Sequence, residues 1–394
     1  MIRLLTFTNL YPSAGRPRHG IFVEQRLRRL VETGTVRACV VVPVARGPFA
    51  ADPSPATAER FGIPVRYVGF PAVRGLTTFL NPLVMAVAAL RAVREMRSRH
   101  GDFDLIDAHF LYPDGVAAVL LGAWLGKPVL VTARGSDVNV AARERVAGAC
   151  IRWAARRAAA VISVSEALRI ALVGRGVAAG RITVVRNGVD LATFRPLDRA
   201  AVRAGLGVTG PLLLCVGNLV PEKGYDLVLE ALTRLPNARL IVIGDGPEEQ
   251  RLQESAHALG LAGRVTWLAP VAQGELGRFY NAADVTVLAS TREGMPNVLL
   301  ESLACGTPVV ATAVGGSTEI VASTEAGRLV PSRTAAALAA ACQELLDSPP
   351  ERTATRRYAE RFGWAEPVAA QLALLGEILG GRPAVAGSGP LDAH

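Results

Sequence analysis

The sequence predicts two tandem α/β domains, each with an open, doubly wound parallel sheet. Its 394 residues exceed the usual length of one domain, about 150 residues. Half of the residues are hydrophobic and 20% are charged, a composition that favours a globular chain over a disordered one. Short apolar runs alternate with helical patterns in two series, which a polar stretch with several glycines and prolines, residues 190–211, separates.

The first series predicts a sheet with helices on both faces. Its apolar runs are nearly continuous, as in residues 39–43, which indicates strands buried on both faces and therefore a parallel sheet. The predicted strands are Arg3–Phe7, Ala38–Pro43, Leu105–His109, Val129–Ala133 and Ala160–Val164, and the predicted helices are Gln25–Glu32, Pro82–Arg97 and Val116–Leu125.

The second series repeats this pattern after residue 211. The predicted strands are Leu212–Val216, Arg239–Ile243, Val265–Leu268, Val285–Ala289 and Val309–Ala311, and the predicted helices are Tyr225–Thr233, Pro247–Ala258, Gln273–Asn281 and Asn297–Cys305. We expect domains at 1–195 and 196–355, a helical segment at 356–379 that packs back on the first domain, and a disordered tail at 380–394. Ligands of open α/β sheets bind outside the carboxyl ends of the strands, so we expect a ligand cleft between the two domains.

The composition argues against several classes of protein. The five cysteines are scattered and show no C-x-x-C spacing, so we expect neither a disulfide framework nor a zinc cluster, and a reducing compartment fits best. The apolar run at the initiator methionine is interpreted as a strand rather than a signal peptide. The longest apolar stretch, Gly115–Gly126, is too short to cross a bilayer, so we expect a cytoplasmic protein.

Arginine supplies almost all of the positive charge. The 43 basic residues outnumber the 34 acidic ones, which gives a net charge of +9, and Lys127 and Lys223 are the only lysines. This charge is compatible with nucleic acid, anionic lipid or a phosphorylated ligand as partner. Aromatic residues make up only 5% of the chain and form no RNA-stacking pattern, so nucleic acid is not the expected partner.

The segment Arg292–Val310 carries the strongest signal for a binding site. Glu293 precedes a short predicted helix that begins at Asn297, and Glu301 lies about two turns into it. The free amides at Asn297 and Val298 favour a phosphate, because a helix N-terminus combines unpaired N–H groups with the positive end of the dipole. Taken alone, the pair also has a structural interpretation, in which Glu293 complements the helix dipole and Glu301 is a solvated helix residue.

A lysine follows the first strand of the same domain. Lys223 lies in the loop after Leu212–Val216, where a cation can meet a diphosphate. With the segments 185–190 and 243–247 and the two glutamates in this order, the chain resembles the retaining nucleotide-sugar glycosyltransferases of family 4, which have the GT-B architecture. The resemblance covers roughly residues 2–375 and is most specific from Val185 to Val321.

The resemblance implies donor-binding roles for residues of the second domain. Lys223 matches the lysine that neutralises the donor diphosphate, Glu301 the glutamate that hydrogen-bonds the ribose hydroxyls, and Glu293 the one at the donor sugar. Further positions match the backbone that holds sugar and phosphate and the loop at the nucleobase. They are Met295, Pro296, Asn297 and Val298 for sugar and phosphate, and Ala269 and Val271 for the base.

In the first domain the resemblance points to two residues in loops that follow strands. Gly20 corresponds to the family's glycine on the phosphate side, and His109 corresponds to the histidine that faces the donor sugar. A single histidine is more often structural, and this alternative stays open for His109. The loop around Gly20 lacks G-x-G-x-x-G, so hydride transfer with a dinucleotide is not supported.

Two positions depart from the family pattern. Asn218 stands where arginine is common, which weakens the expected diphosphate clamp, and Arg134 stands where histidine is frequent. Two interpretations of Arg134 remain open. In the first, Arg134 supplies the positive charge that Asn218 lacks, or it binds an anionic acceptor. In the second, it forms a structural salt bridge with Asp137 or another carboxylate.

These observations together predict a glycosyltransferase. It would move a hexose from a nucleoside diphosphate sugar to a hydroxyl of a saccharide, lipid-linked saccharide or lipid with retention, without a metal or other cofactor, and with Glu293, Lys223 and His109 as catalytic residues. The rivals are a nucleotide-sugar 2-epimerase of the same fold and a non-catalytic nucleotide-sugar-binding protein. Arginine-rich stretches at 16–29, 91–99 and 143–157 favour peripheral contact with an anionic membrane, or else they are solvated helix faces.

Overall fold

The computed structural model describes residues 1–46, 53–72, 80–139 and 145–380, and the chain divides into two units. Unit 1 comprises Met1–Arg186 and the chain from Ala365 onward, and unit 2 comprises Asn187–Trp364. The chain passes into unit 2 earlier than the expected boundary at residue 195, and the expected connection, residues 190–211, lies within unit 2. Each unit has its own sheet, and the prediction of two Rossmann-like α/β domains is confirmed.

The described part of unit 1 contains eight strands. They are β1 (Ile2–Phe7), β2 (Val36–Arg46), β3 (Thr57–Arg60), β4 (Ile63–Pro71), β5 (Leu105–His109), β6 (Val129–Ala133), β7 (Ala160–Ser163) and β8 (Ile182–Val184). They form one sheet in the order β3-β4-β2-β1-β5-β6-β7-β8, parallel except where β3 pairs with β4. Because the order reverses between β1 and β5, the loops after these two strands lie side by side at the carboxyl edge of the sheet.

Helices cover this sheet. Those within Met1–Arg186, before the chain passes into unit 2, are α1 (Ile21–Glu32), α2 (Asn81–His100), α3 (Val116–Leu125), α4 (Ser136–Asn139), α5 (Arg145–Arg157) and α6 (Glu166–Val173). The buried stripe of α1, Val23, Leu27 and Leu30, repeats every three to four residues and packs in one core cluster with Leu4 and Leu105 of the sheet.

Unit 2 contains six strands and is parallel throughout. They are β9 (Leu212–Val216), β10 (Arg239–Ile243), β11 (Val265–Leu268), β12 (Val285–Leu288), β13 (Val309–Thr312) and β14 (Gly327–Val330). Their order is β11-β10-β9-β12-β13-β14, so the reversal falls between β9 and β12. The loops after β9 and β12 are those that carry Lys223 and Glu293.

One helix of unit 2 precedes its first strand, and the others come after β9. They are α7 (Arg199–Gly205), α8 (Tyr225–Thr233), α9 (Glu249–Ala258), α10 (Gln273–Ala282), α11 (Asn297–Ala304), α12 (Ser317–Ile320), α13 (Ala335–Asp347) and α14 (Arg352–Glu360). No helix of the described residues is long and apolar enough to span a membrane.

The last helix returns to unit 1. The predicted helical segment 356–379 begins inside α14, breaks, and resumes as α15 (Ala365–Ile378). Leu374 and Leu375 of α15 join the core cluster of α1, and Gln371 Oε1 accepts a hydrogen bond of 2.6 Å from Nε of the buried Arg26. Apart from Gly380, the predicted disordered tail lies outside the described residues.

Gly20 shapes the start of α1. Its φ of 70° is left-handed, and an added Cβ would lie 2.2 Å from the carbonyl carbon and oxygen of Leu10. Gly34, just beyond the other end of α1, also has a φ of 70°, but an added Cβ there meets no atom within 4 Å. The two glycines therefore share a conformation and differ in steric surroundings.

We predict that Gly20→Ala destabilises the chain more than Gly34→Ala does. The left-handed conformation costs alanine about 1–2 kcal/mol at both positions, whereas the clash with Leu10 adds about 1–3 kcal/mol at Gly20 alone. Urea unfolding of the two variants measures the difference. Equal losses would show that the loop around Leu10 yields freely to an added methyl group.

Candidate active site

In unit 2, the loops after β9 and β12 are packed against each other through their backbones. Gly224, the residue before α8, has a φ of 66°, and a Cβ there would lie 2.4 Å from the carbonyl oxygen of Ala289. Arg333 Nε donates a hydrogen bond of 2.8 Å to the same oxygen. Lys223, immediately before Gly224, therefore stands next to the loop of residues 289–296.

Two ion pairs connect these loops. Lys223 Nζ lies 2.7 Å from Glu293 Oε1, and Arg292 Nη2 lies 2.5 Å from Glu222 Oε1. Ser290 Oγ also donates to Glu293 Oε1, at 2.6 Å. The side chains of Lys223 and Glu293 remain 27% and 10% exposed, so the pair is fixed and still within reach of a ligand.

The loop of Glu293 leads into an uncapped helix. Pro296 is the N-cap residue of α11 and makes no side-chain capping bond, so the first amides of α11, at Asn297 and Val298, are available to an anion. Met295 and Pro296 are buried. Asn297 Oδ1 accepts a hydrogen bond of 3.0 Å from Nδ2 of Asn187, which ties the helix start to the first residue of unit 2.

A pair of glycines supports this loop from the side of β13. A Cβ on Gly315 would lie 2.0 Å from the carbonyl oxygen of Glu293, and one on Gly316 would lie 2.2 Å from that of Gly294. Only glycine allows this approach of two backbones. The position of Glu293 is thus fixed by its backbone as well as by its side chain.

Glu301 is half-buried on α11. Its Oε2 accepts a hydrogen bond of 2.8 Å from the hydroxyl of Tyr280. Burial raises the pKa of Glu301 to about 7, although the hydrogen bonds from Tyr280 and Gln273 favour the carboxylate. Donors such as ribose hydroxyls would further stabilise the charged form.

The remaining donor-side residues lie in loops after neighbouring strands. Asn218 is exposed after β9, and Ala269 is exposed and Val271 half-buried after β11. The loops after β9 and β10 touch, because a Cβ on Gly244 would lie 1.9 Å from the carbonyl oxygen of Gly217. The carboxyl edge of the unit 2 sheet therefore carries Asn218, Lys223, Ala269, Val271 and Glu293.

In unit 1, His109 is part of a buried polar cluster. It ends β5, is 1% exposed, and contacts Asp107 and Arg134. Arg134 Nη2 lies 2.8 Å from His109 Nδ1, and because a guanidinium can only donate, Nδ1 accepts this bond and Nε2 carries the proton. Nε2 lies 3.4 Å from Asp107 Oδ2. Both ring nitrogens of His109 thus have protein partners.

Arg134 is 9% exposed and its guanidinium lies over the ring of Phe22, 5.1 Å from the centroid. Asp137 accepts hydrogen bonds from backbone amides, that of Arg134 at 3.1 Å among them. Gly20 begins α1 beside the loop after β1, as described above. These positions place Gly20, His109 and Arg134 at the carboxyl edge of the unit 1 sheet, on three different loops.

Sequence reasoning missed several partners of the predicted residues. Tyr280 and Asn187 lie 21 and 110 residues away from their partners Glu301 and Asn297, so no local spacing connects them. Ser290 is only three residues from its partner Glu293 and was missed all the same. The contact between Asp107 and His109 could have been predicted, because the alternation along a strand places both side chains on the same face. In the described part of the chain, no group of three or more His, Cys, Asp or Glu side chains could hold a metal ion.

Two family models match the chain. The model described as Glycosyltransferase Family 4 matches residues 19–193, and the model described as Glycosyl transferases group 1 matches residues 199–362. The chain is 31% identical over 389 residues to D-inositol 3-phosphate glycosyltransferase 2 of Catenulispora acidiphila, which covers 89% of this chain and 87% of that protein.

Other relatives match over shorter lengths or in fold. The D-inositol 3-phosphate glycosyltransferase of Mycolicibacterium gilvum is 40% identical over 210 residues, which span 51% of this chain and about half of that relative, 47%. The Anabaena protein Alr3699/HepE in complex with UDP has a similar fold, with a TM-score of 0.76, 21% identity and coverage of 96% of this chain and 100% of that one. The same protein has also been solved with UDP-glucose.

We predict that the ring of His109 stays neutral at pH values well below those at which histidine usually takes up a proton. Burial lowers the pKa of His109 to about 4, and Asp107 only partly opposes it. The unfolded chain takes up this proton near pH 6.5. The folded chain is therefore most stable above that pH, and its free energy of unfolding decreases as the pH falls toward 4, by up to about 3 kcal/mol. NMR titration of the histidine ring carbons, with His109→Gln for assignment, measures this; a His109 midpoint near 6.5 would contradict the buried arrangement.

Proposed function

This chain belongs to glycosyltransferase family 4, and from that premise we propose that it moves a hexose from a nucleoside diphosphate sugar to an acceptor hydroxyl with retention at the anomeric carbon. The observation that carries the proposal is the placement of Lys223 beside Glu293 at the strand-order reversal of unit 2. The uncapped start of α11 follows Glu293 by only a few residues. A cation, a carboxylate and free amides in neighbouring loops fit a ligand that has both phosphate and hydroxyl groups.

The proposed chemistry needs charge stabilisation more than a strong nucleophile. The bond between the anomeric carbon and the diphosphate breaks while the acceptor oxygen bonds to the same carbon from the same face. The departing phosphate oxygen takes the acceptor proton. Lys223 and the amides of Asn297 and Val298 stabilise the charge that develops on the diphosphate.

The other donor-side residues recognise the rest of the donor. Glu293 accepts hydrogen bonds from hydroxyls of the sugar, and Glu301 accepts them from the ribose. Ala269 and Val271 flank the base and offer it little more than surface, so the base and the sugar have to be identified by experiment. UDP-glucose is the first donor to test, because the structurally similar Anabaena protein binds it.

A panel of UDP-, GDP- and ADP-sugars, with and without saccharide and lipid-linked acceptors, tests the proposed function. We expect turnover only with an acceptor, and NMR of the product showing the same anomeric configuration as in the donor. Epimerisation of the donor without an acceptor would instead favour a 2-epimerase. Binding without turnover would favour a non-catalytic protein, and an inverted product would exclude the same-face mechanism.

We predict that Lys223→Ala lowers kcat/KM by about 10²–10³-fold, the usual effect of removing one preorganised contact to developing charge. Lys127→Ala is the matched control, because Lys127 is the chain's other lysine and pairs with Asp102 in unit 1, 2.9 Å away. The control should keep wild-type turnover, and circular dichroism should show both variants folded. Full activity of folded Lys223→Ala would remove the diphosphate assignment.

We also propose that the acceptor is lipid-linked and that unit 1 contacts an anionic cytoplasmic membrane. Leu83, Val87 and Arg91 of α2 are exposed, and they share one face of the helix because they lie four residues apart. The helix α5 carries no acidic residue between Arg145 and Arg157. The stretch 16–29 supports this less, because Arg26 is buried. Arg28 pairs with Glu32 four residues on, and Arg91 of α2 pairs in the same way with Glu95.

Flotation with anionic and neutral vesicles tests this contact. We predict binding to anionic vesicles at low salt that falls steeply as salt rises, because the Debye length is only about 10 Å at 0.1 M. Replacing the exposed Arg91 and Arg94 by Gln should weaken it. Equal recovery with neutral vesicles would leave a soluble acceptor as the better interpretation.

A further inference from the structure

Two buried aspartates join the three loops at the carboxyl edge of the unit 1 sheet. Asp114 lies in the segment after β5 and Asp137 in α4, the short helix in the loop after β6, and both side chains are 0% exposed. Neither takes part in the chemistry proposed above. Their hydrogen bonds, however, reach beyond their own loops.

Asp114 orders the loop after β1. Its Oδ2 accepts a hydrogen bond of 2.8 Å from the amide of Asn9 and one of 3.0 Å from the hydroxyl of Thr8. The Thr8 hydroxyl in turn accepts one of 2.9 Å from the amide of Leu10. Leu10 is the residue whose carbonyl group leaves no room for a Cβ on Gly20. The position of Gly20 therefore depends on the carboxyl group of Asp114.

Asp137 orders the loop after β5 together with its own loop. Its Oδ2 accepts from the amide of Leu111 at 2.8 Å. Its Oδ1 accepts three hydrogen bonds from backbone amides, from Gly135 at 2.8 Å and from Arg134 and Val138 at 3.1 Å each. Leu111 is only three residues before Asp114, so Asp137 also fixes the loop from which Asp114 acts.

We infer that Asp137 and Asp114 are positioning residues for the proposed transfer, which hold the loops carrying Arg134, His109 and Gly20 in one arrangement. The order runs along the sheet edge: Asp137 holds the loop after β5, and that loop, through Asp114, holds the loop after β1. The inference rests on the proposed function, because the three residues held are the unit 1 candidates for the donor phosphate (Gly20), the donor sugar (His109) and the acceptor side (Arg134). Donor-side residues of unit 2 are not part of this chain of contacts.

The two aspartates use their oxygens differently, and this difference makes the inference testable. Within the described residues, Oδ1 of Asp114 has no hydrogen-bond partner, so an asparagine can keep the acceptor oxygen and turn its amide to that side. Burial also raises the pKa of Asp114 to about 8, and a protonated acid resembles an amide. Both oxygens of Asp137 face N–H groups, so an asparagine there must oppose a donor to a donor.

Amide hydrogen exchange of the full chain reads the loops directly. We expect Asp114→Asn to match wild type over residues 8–20 and 110–116. Asp137→Asn should exchange at least about tenfold faster over 110–116 and 133–139, and Asp114→Ala should do so over 8–20. If Asp114→Ala fails to fold, Thr8→Val removes only the linking hydroxyl and should loosen the same stretch, 8–20.

Kinetics tests the link to function, with UDP-glucose or whichever sugar nucleotide the wild type turns over. We expect kcat to fall about 10–100-fold for Asp137→Asn and Asp114→Ala, as for other small displacements of reacting groups. Asp114→Asn should stay within about threefold of wild type. In Asp137→Asn and Asp114→Ala the Kd for UDP measured by calorimetry should rise by a smaller factor than kcat falls, because Gly20 alone of the three held residues is assigned to the donor phosphate.

The inference is overturned if Asp114→Asn is as damaging as Asp114→Ala, or if exchange in Asp137→Asn is as slow as in wild type. Equal losses of kcat and of UDP affinity would also overturn it, since they would indicate general damage to the fold. Failure of the wild type to bind UDP or to use any sugar nucleotide would count against the proposed function instead. The exchange measurements would then still decide whether the two carboxyl groups hold the loops.

Discussion

The reversal of strand order beside the first strand of each sheet is the constraint on which the placement of the candidate residues in each unit depends. In unit 2 it brings the loops after β9 and β12 together, and in unit 1 those after β1 and β5. Adjacency alone does not fix side chains. The loops are locked by contacts that only glycine permits, at Gly224 against Ala289, at Gly315 against Glu293 and at Gly20 against Leu10.

The two units use polar residues in contrasting ways. In unit 2, Lys223 and Glu293 remain partly exposed, so a ligand can displace one contact and form another. In unit 1, Asp107, His109 and Arg134 are almost completely buried, and His109 contacts both of the others. Removing one member of such a cluster leaves a buried polar group without its partner, so these unit 1 residues stabilise the loops that surround them.

The fold was largely predictable because buried parallel strands are short, apolar and repeated. Four strands escaped prediction: β3, β4, β8 and β14. The first is an exposed edge strand, β4 has mostly half-buried residues, β8 is only three residues long, and β14 begins with Gly327 and Arg328. The residue at which the chain passes from unit 1 to unit 2 was also not predicted, because the polar stretch 190–211 contains α7 and folds as part of unit 2. A periodic pattern reports burial on one element and says nothing about which unit receives it.

Within the site, the sequence indicated which residues belong together and not what each one touches. The positions of Lys223 and Glu293 in loops and of Glu301 on α11 follow from strand order and from the resemblance to family 4. The burial of His109 does not, because it depends on Arg134, on Phe22 over that arginine and on Arg26 nearby. Phe22 and Arg134, and likewise Arg26 and His109, are more than 80 positions apart in the chain, whereas Arg134 and His109 are 25 apart.

The contact between Lys223 and Glu293 explains how a donor is recognised as a whole, given the proposed function. A diphosphate carries more negative charge than a single carboxylate, so it outcompetes Glu293 for the lysine at similar distances. Glu293 then keeps Ser290 as a donor and has acceptor capacity for a hydroxyl of the sugar. Both side chains are already ordered before the donor arrives, which reduces the entropy lost on binding. With Asn218 in place of the usual arginine, this exchange of partners gives Lys223 and the start of α11 the main part in holding the diphosphate, and it makes recognition of sugar and phosphate interdependent.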